Sequence, residues 1–477
     1  MRIFIFFLIN TLSLNVFTQS ITYTEPRQAL KNNYFHYILG RDGKYFYTRT
    51  FYTFSRVYEK YEIESGAMVG MLTEINAPED YRIYDFFYNI DGMNYICANY
   101  FKNANNYNIK AFNNNFEGRD AEILNLDISI PKNSSNSIEC SFHSSASGEY
   151  LLGMVEWEEK EEKVLSLHLF KSDFSIIFSK ELRYPKKEEI NNILVCDDGS
   201  VFFRRSNRQD QHFICAFDQI KDYEYWEMQI VNTLVEKKLV ITNFIITKNL
   251  SNELLLSGFF QPKKNEIQNL FYLSINLETR KQEINKLIEL NDDFKKEYFE
   301  KEPVAIGAKR RNYSGVKYNI TDNNALILLA EEHYIRKGTV GSGTANINSY
   351  THLYKDLILF EISREGKLNY AGGINKSSSQ YFTGTDKQET MPEAFPSASY
   401  KIKRIGNQLL IICPDNIFTY NFDSKKLKIS EQYQLNLDNK YSGPINRMYI
   451  TNDDDFSILP LRFNKADSYI YAIIHWD

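Results

Sequence analysis

Cys196-Asp197-Asp198-Gly199-Ser200-Val201-Phe202-Phe203 sets a glycine turn directly before an apolar run. Asp-Gly pairs tolerate positive φ and close hairpins. The β-branched and aromatic residues that follow suit a pleated, half-buried strand. The arrangement recurs along the chain. Asp42-Gly43 precedes Tyr45-Phe46-Tyr47, Asp91-Gly92 precedes Tyr95-Ile96, and Ser147-Gly148 precedes Tyr150-Leu151-Leu152. Ser251-Asn252, Asn323-Asn324, Gly406-Asn407 and Asp454-Asp455 stand before comparable runs further on. Successive markers, from Gly43 to Asp455, are 49, 56, 51, 53, 72, 83 and 48 residues apart. The shorter gaps match a four-stranded blade with its loops, and the two long ones carry insertions.

After each marker a second alternating strand follows, as in Val164 to Phe170, Phe213 to Phe217 and Ile417 to Phe422. A polar turn and a fourth strand complete the unit, so it reads strand a, turn, strand b, loop, strand c, turn, strand d. Long helical periodicity is nearly absent. A chain of 477 residues is also long for one compact core, and repetition solves that problem. The expected fold is an all-β, single-domain β-propeller, with eight blades preferred and seven the second choice. The rival is a pair of packed β-domains dividing near 291–316. The last unit offers strands at 445–450, 456–463 and 468–474, and then only His475-Trp476-Asp477 follow. The missing outer strand would expose a sheet edge. Ser20-Ile21-Thr22-Tyr23 precedes the first unit without a partner of its own and is expected to close the ring.

Residues 1–18 read as a secretory signal. Arg2 supplies the positive end and Ile3 to Ile9 the apolar run; Thr11, Ser13 and Asn15 then make the segment too short and too polar for a membrane span. Val16 and Thr18 suit the positions before cleavage, so the mature chain begins near Gln19. Export implies the periplasm, the cell surface or the medium. The formal charge of −5, with both signs interspersed, carries no electrostatic footprint for nucleic acid. Cys97, Cys140, Cys196, Cys215 and Cys413 are odd in number, lack a C-x-x-C pair and sit in apolar runs, so they read as small core residues. Cys196 and Cys215 fall on strands separated by a third, too far apart for a disulfide. A monomer is expected.

The insertions at 291–316, 337–350 and 375–399 link strands d and a, or b and c, around the sixth unit. Both kinds of connection emerge on one face of a propeller. Lys309, Arg310, Arg311 and Tyr313 lie in the first insertion. Gly338, Gly341 and Gly343 form a flexible loop in the second, flanked by His333, Tyr350 and His352; Tyr381 lies in the third. Cations, aromatics and glycines of this kind suit an anionic or carbohydrate-like ligand.

Other motifs fail on their chemistry. The glycine run lacks the Gly-Lys-Ser/Thr ending of a phosphate loop and leads into a strand. Glu331, His333 and His352 offer at best a partial metal set, so they read as polar strand residues. Asn452 to Asp455 lacks the glycine and distal glutamate of a calcium loop. No nucleophile elbow or His-Glu-x-x-His occurs, and neither a cofactor nor a metal is called for. Sequons occur at Asn133, Asn249, Asn312, Asn319 and Asn375. The expected function is an exported, non-enzymatic propeller that binds a protein, glycan or envelope component through its loop-rich face. The alternative is a polysaccharide hydrolase or lyase using channel carboxylates with Tyr or His.

Ala325 to Ile374 combines a strand, Ala-Leu-Ile-Leu-Leu-Ala-Glu-Glu-His-Tyr, with a Tyr-bearing Gly/Ser/Thr/Asn loop, then Lys355-Asp356-Leu357-Ile358-Leu359 and a Gly366-Lys367 turn. Over about one blade it resembles a group of exported, largely uncharacterised β-propeller-like proteins of Bacteroidetes. Where that group continues with a tryptophan and an Ile-Pro-Lys run, this chain has Tyr370 and Ile374-Asn375-Lys376. The resemblance implies an envelope or extracellular setting and no catalytic residue.

Overall fold

The computed structural model describes residues 20–28, 35–51, 56–72, 81–89, 92–114, 116, 121–131, 138–207, 211–230, 240–261, 269–299, 313–340, 347–375, 378–383, 400–413, 416–430, 441–442, 456–463 and 468–476. Their strands form eight antiparallel sheets whose internal order follows the chain. Blades 1 to 8 span 35–72, 82–129, 139–185, 189–229, 240–288, 313–374, 401–429 and 441–475. First strands of neighbouring blades touch one another from blade 1 through blade 6, so strand a is innermost. The chain is an eight-bladed β-propeller. The expected strand at 445–450 and the turn at Asn452 to Asp455 lie outside the described residues, as does the signal segment; Tyr441–Ser442 pairs with Phe463 and Arg462.

Packing explains why the middle strands are apolar on both faces. Strand c of blade 3, Glu162–Lys171, is buried from Val164 to Phe170. Its Val164 and Phe170 join Ile96 and Ile109 of blade 2, whereas Leu165, Leu167 and Leu169 join Phe203 and Phe217 of blade 4. Each blade therefore buries both faces against its neighbours. The a–b turns behave as their residue types predict. Gly43, Gly148, Gly199, Asn252, Asn324 and Gly406 all have positive φ.

Those turns also fasten successive blades. The Ser147 amide donates to Asp197 Oδ1 at 2.7 Å, joining blade 3 to blade 4. Lys248 of blade 5 donates to Asp198 of blade 4. Asn324 of blade 6 donates to Ser251 Oγ at 2.9 Å and accepts from the Leu250 amide at 3.2 Å. Arg404 of blade 7 donates to Asp322 and to the Ile320 carbonyl of blade 6. Turn polarity, read from sequence only as hairpin chemistry, also holds the blades in register with one another.

The ring closes as the unpartnered N-terminal strand requires. Ser20–Tyr23 pairs antiparallel with Ser468–His475, placing Ser20 opposite His475 and Tyr23 opposite Ala472. Arg27–Gln28 continues along the same strand, opposite Tyr469 and Ser468. Gly66, in the c–d turn of blade 1, abuts this segment: an added Cβ would lie 3.1 Å from the Tyr23 carbonyl oxygen and 3.3 Å from Thr24 Cα, at φ +69°. Main chain on both sides leaves nothing soft to yield. Gly66→Ala is therefore expected to destabilise the protein by roughly 1–3 kcal/mol, measured as a lowered denaturation midpoint; an unchanged midpoint would mean that the seam accommodates a methyl group.

Cys97, Cys215 and Cys413 are buried, Cys140 and Cys196 half-buried, and none forms a disulfide. Burial pushes the Cys97 and Cys196 thiols up to about 12. Both should resist iodoacetamide at pH 8 in the folded protein and react in denaturant, as peptide mass mapping would reveal. Asn249 and Asn319, two of the sequons, are buried strand or turn residues and do not present acceptors at the surface.

Candidate functional site

Blade 6 departs from its neighbours. Its strands b and c, Leu326–Val340 and Ile347–Ile362, run past the blade. After a register shift between Glu331 and His333 they stay paired as far as Val340 opposite Ile347. Ser378–Thr383 adds a third strand along Ser349–Tyr354. The outcome is a three-stranded arm on the face where d–a and b–c connections emerge. The flexible loop expected at 337–350 is thus strand through Val340 and again from Ile347; 341–346 lie outside the described residues. The first insertion holds a short helix, Asp292–Tyr298, capped by Asn291, whose side chain accepts from the Phe294 amide at 2.8 Å. Tyr298 reaches the arm's root, where a Cβ on Gly373 of strand d would collide with its ring.

Residues directly opposite one another in a sheet share a face. His333 stands opposite Tyr354, Ile335 opposite His352 and Gln380, and Lys337 opposite Tyr350 and Phe382. His333, Tyr350 and His352 therefore occupy successive rungs of one face, together with Lys337. Tyr381 is opposite Thr351, on the other face. Lys309, Arg310 and Arg311 lie outside the described residues. Tyr313 does not belong to a ligand surface: it is fully buried, its hydroxyl donates to the Tyr298 carbonyl at 3.0 Å, and its ring packs edge-on against Phe299. The sequence placed it in a loop, but it opens the inner strand of blade 6 and joins the core.

Beneath the arm, charge is held out of water. Glu331 and Glu332 are 0% exposed and Lys403 1%. Lysine and glutamate are almost never buried so completely unless they are partnered. Lys317 Nζ donates to the Tyr400 carbonyl at 2.7 Å and lies 4.7 Å above the Tyr400 ring. The Tyr400 hydroxyl donates to the Leu329 carbonyl at 3.2 Å. Burial, then the Glu331 charge, holds Tyr400 well above the usual phenol range. Burial alone pushes the Lys401 ammonium down. Both acids come from strand b of blade 6, and the cations from the inner strands of blades 6 and 7. Of this group the sequence analysis singled out only Glu331. Lys317 meets Tyr400 across about eighty residues of chain through strand placement, which no local motif records.

Fold and site together define a β-propeller with an appended β-arm over a buried charged root. No protein-family model matches the chain, and no curated protein matches it. Among solved structures it is similar to the Dos1 propeller, with 9% identity over 95% of each chain and a TM-score of 0.45. It is similar also to the polysaccharide lyase Uly1, with 10% identity, 91% of this chain and 88% of that one covered, and a TM-score of 0.39. A third is the alpha-L-arabinofuranosidase Arb93A of Fusarium graminearum, with 12% identity, 72% and 94% covered, and a TM-score of 0.31. These likenesses transfer no activity.

Proposed function

We propose that this protein is an exported, non-enzymatic binding scaffold. Its ligand, a glycan or another envelope component, docks on the arm of blade 6. The observation that carries this reading is the arm itself, a paired sheet that runs past the blade, with His333, Lys337, Tyr350 and His352 at register positions on one face. Aromatic and cationic residues on a flat β-surface suit sugar rings and anionic groups.

Replacing Lys337, Tyr350 and His352 together by alanine should leave the melting curve unchanged and abolish both glycan-array signal and recovery of an envelope partner by pull-down. Undiminished recovery would place the ligand elsewhere. Release of reducing or unsaturated sugar by the purified protein would overturn the non-enzymatic reading.

A further inference from the structure

Several blades are interlocked by their c–d turns. Arg280, in that turn of blade 5, pairs with Asp218 of blade 4 at 3.6 Å. Arg364 of blade 6 donates from Nε to both carboxylate oxygens of Glu253 in blade 5, each at 3.1 Å. Lys425 of blade 7 donates to Glu361 of blade 6. In each of these gaps a cation from the later blade sits beside an acid of the earlier one. Blade 8 cannot repeat the device. Its outer strand is Ser20–Tyr23, so no c–d turn joins that strand to Ser468–His475. The seat that such a turn would take lies on blade 7, and there the structure has a groove of about 560 Å³.

The chemistry of this groove is the reverse of the other seats. Register puts Gln408, Asn421 and Lys426 on one rung and Leu410, Thr419 and Lys428 on the next, all on one face of the blade. Leu410 packs with Leu459 and Ile470, so the face is the one turned towards blade 8. The polar residues of these rungs line the groove with Ser424 and Ser430, and no carboxylate is among the lining residues. Lys426 is exposed and forms no ion pair among the described residues. Asn421 Oδ1 accepts from the Asp423 and Ser424 amides at 3.1 and 2.8 Å, which leaves its Nδ2 without an acceptor among the described residues. Thr419 is 6% exposed and makes no side-chain hydrogen bond among them, yet its hydroxyl is not sealed off from the groove. Water can meet the hydroxyl and the amide. It cannot offset two ammonium groups whose backbone positions are only about 7 Å apart along one strand. The volume exceeds that of a bare oxyanion and lies within the range of small-molecule sites, ~300–1,000 Å³.

We propose that the gap between blades 7 and 8 binds a small phosphate or sulfate monoester, its oxyanion set between Lys426 and Lys428 and its hydroxylated remainder along Gln408, Thr419 and Asn421. The site is on the opposite face of the ring from the arm and does not rest on the binding function proposed for the arm.

Calorimetric titration of the full chain tests the idea, with D-glucose 6-phosphate, D-glucose 6-sulfate and D-glucose as probes. At least one ester should bind saturably and at least tenfold more tightly than glucose, and the tighter ester identifies the source of the oxyanion. Lys426→Met should weaken that ester about tenfold, the scale of one charge-assisted hydrogen bond. Lys426→Glu combined with Lys428→Glu should abolish its binding; both side chains are exposed, so the melting temperature should hold. Thr419→Val keeps the shape and removes an unpartnered hydroxyl, so it should weaken the ester several-fold without lowering the melting temperature. The variant with Lys337, Tyr350 and His352 replaced should bind the ester like the parent. Saturable binding of neither ester would overturn the proposal, as would parent affinity in the double glutamate variant or loss of binding in the arm variant.

Discussion

Deleting residues 20–28 should cost the protein its cooperative fold. The segment makes three kinds of contact, and all go at once. Backbone pairing with Ser468–His475 is lost, together with the bonds between the Thr24 amide and the Tyr471 carbonyl at 3.0 Å and between the Tyr471 amide and Thr24 Oγ1 at 2.9 Å. Ile21 and Tyr23 no longer cover the apolar cluster of Ile470, Ala472 and Trp476. Glu59, 0% exposed, loses its only basic partner among the described residues, Arg27 at 3.3 Å, and keeps the hydroxyls of Thr48, Tyr61 and Tyr469. A buried carboxylate stripped of its cation costs about 3 kcal/mol. Two large side chains and several hydrogen bonds bring the loss to the order of 8 kcal/mol. That is comparable to the whole stability of many proteins. It also bares a long apolar edge in blade 8, which invites association. The truncated chain should be insoluble, or melt roughly 10 °C lower, and a synthetic peptide of residues 20–28 added in trans should restore the midpoint. A truncated chain as stable as the parent would show that the ring does not depend on this strand. Glu59→Gln, which keeps the shape and removes the charge, should fall in between.

This seam was visible in the sequence because it leaves a mismatch that can be counted: one unit short of a strand at one end, one strand without a unit at the other. Blade number was visible for the same reason, since turns that need positive φ recur at Gly43, Gly148, Gly199, Asn252 and Asn324 whatever packs around them. The arm was hidden by composition. Gly338, Gly341 and Gly343 read as loop, and neither Tyr334-Ile335-Arg336-Lys337 nor the stretch opposite it, Ser349 to Leu353, alternates strictly between apolar and polar residues. Long-range pairing outweighed the low strand propensity of glycine. The helix at Asp292–Tyr298 did carry a local signal, Asn291 followed by two acids, but its seven residues give too little periodicity to register. The charged root has no sequence signature. Lys317 and Tyr400 become neighbours only once the inner strands of blades 6 and 7 stand side by side.

Mild acid should weaken the fold before most carboxylates titrate, and two histidines are responsible. His168 is 6% exposed in strand c of blade 3, with Nε2 2.9 Å from Ser166 Oγ and Nδ1 2.9 Å from Ser179 Oγ. Burial brings its pKa down to about 4. His212, 7% exposed at the start of strand c of blade 4, is brought to about 4 by burial and by the Arg204 charge. Unfolded histidine titrates near 6.5, so below that pH the unfolded chain takes up protons that the folded one refuses. The stability that these residues confer is therefore complete above about pH 6.5 and is lost as the pH falls towards 4. Between pH 7 and pH 5 each should cost ~2 kcal/mol. The urea midpoint should drop accordingly, with no matching change in m value. His168→Gln and His212→Gln combined should flatten that limb of the stability curve, because glutamine offers hydrogen bonds without a titrating proton. A curve as steep in the double variant as in the parent would assign the acid sensitivity to the carboxylates that fasten the blades, above all Asp198 and Asp322, which should make themselves felt only below about pH 4.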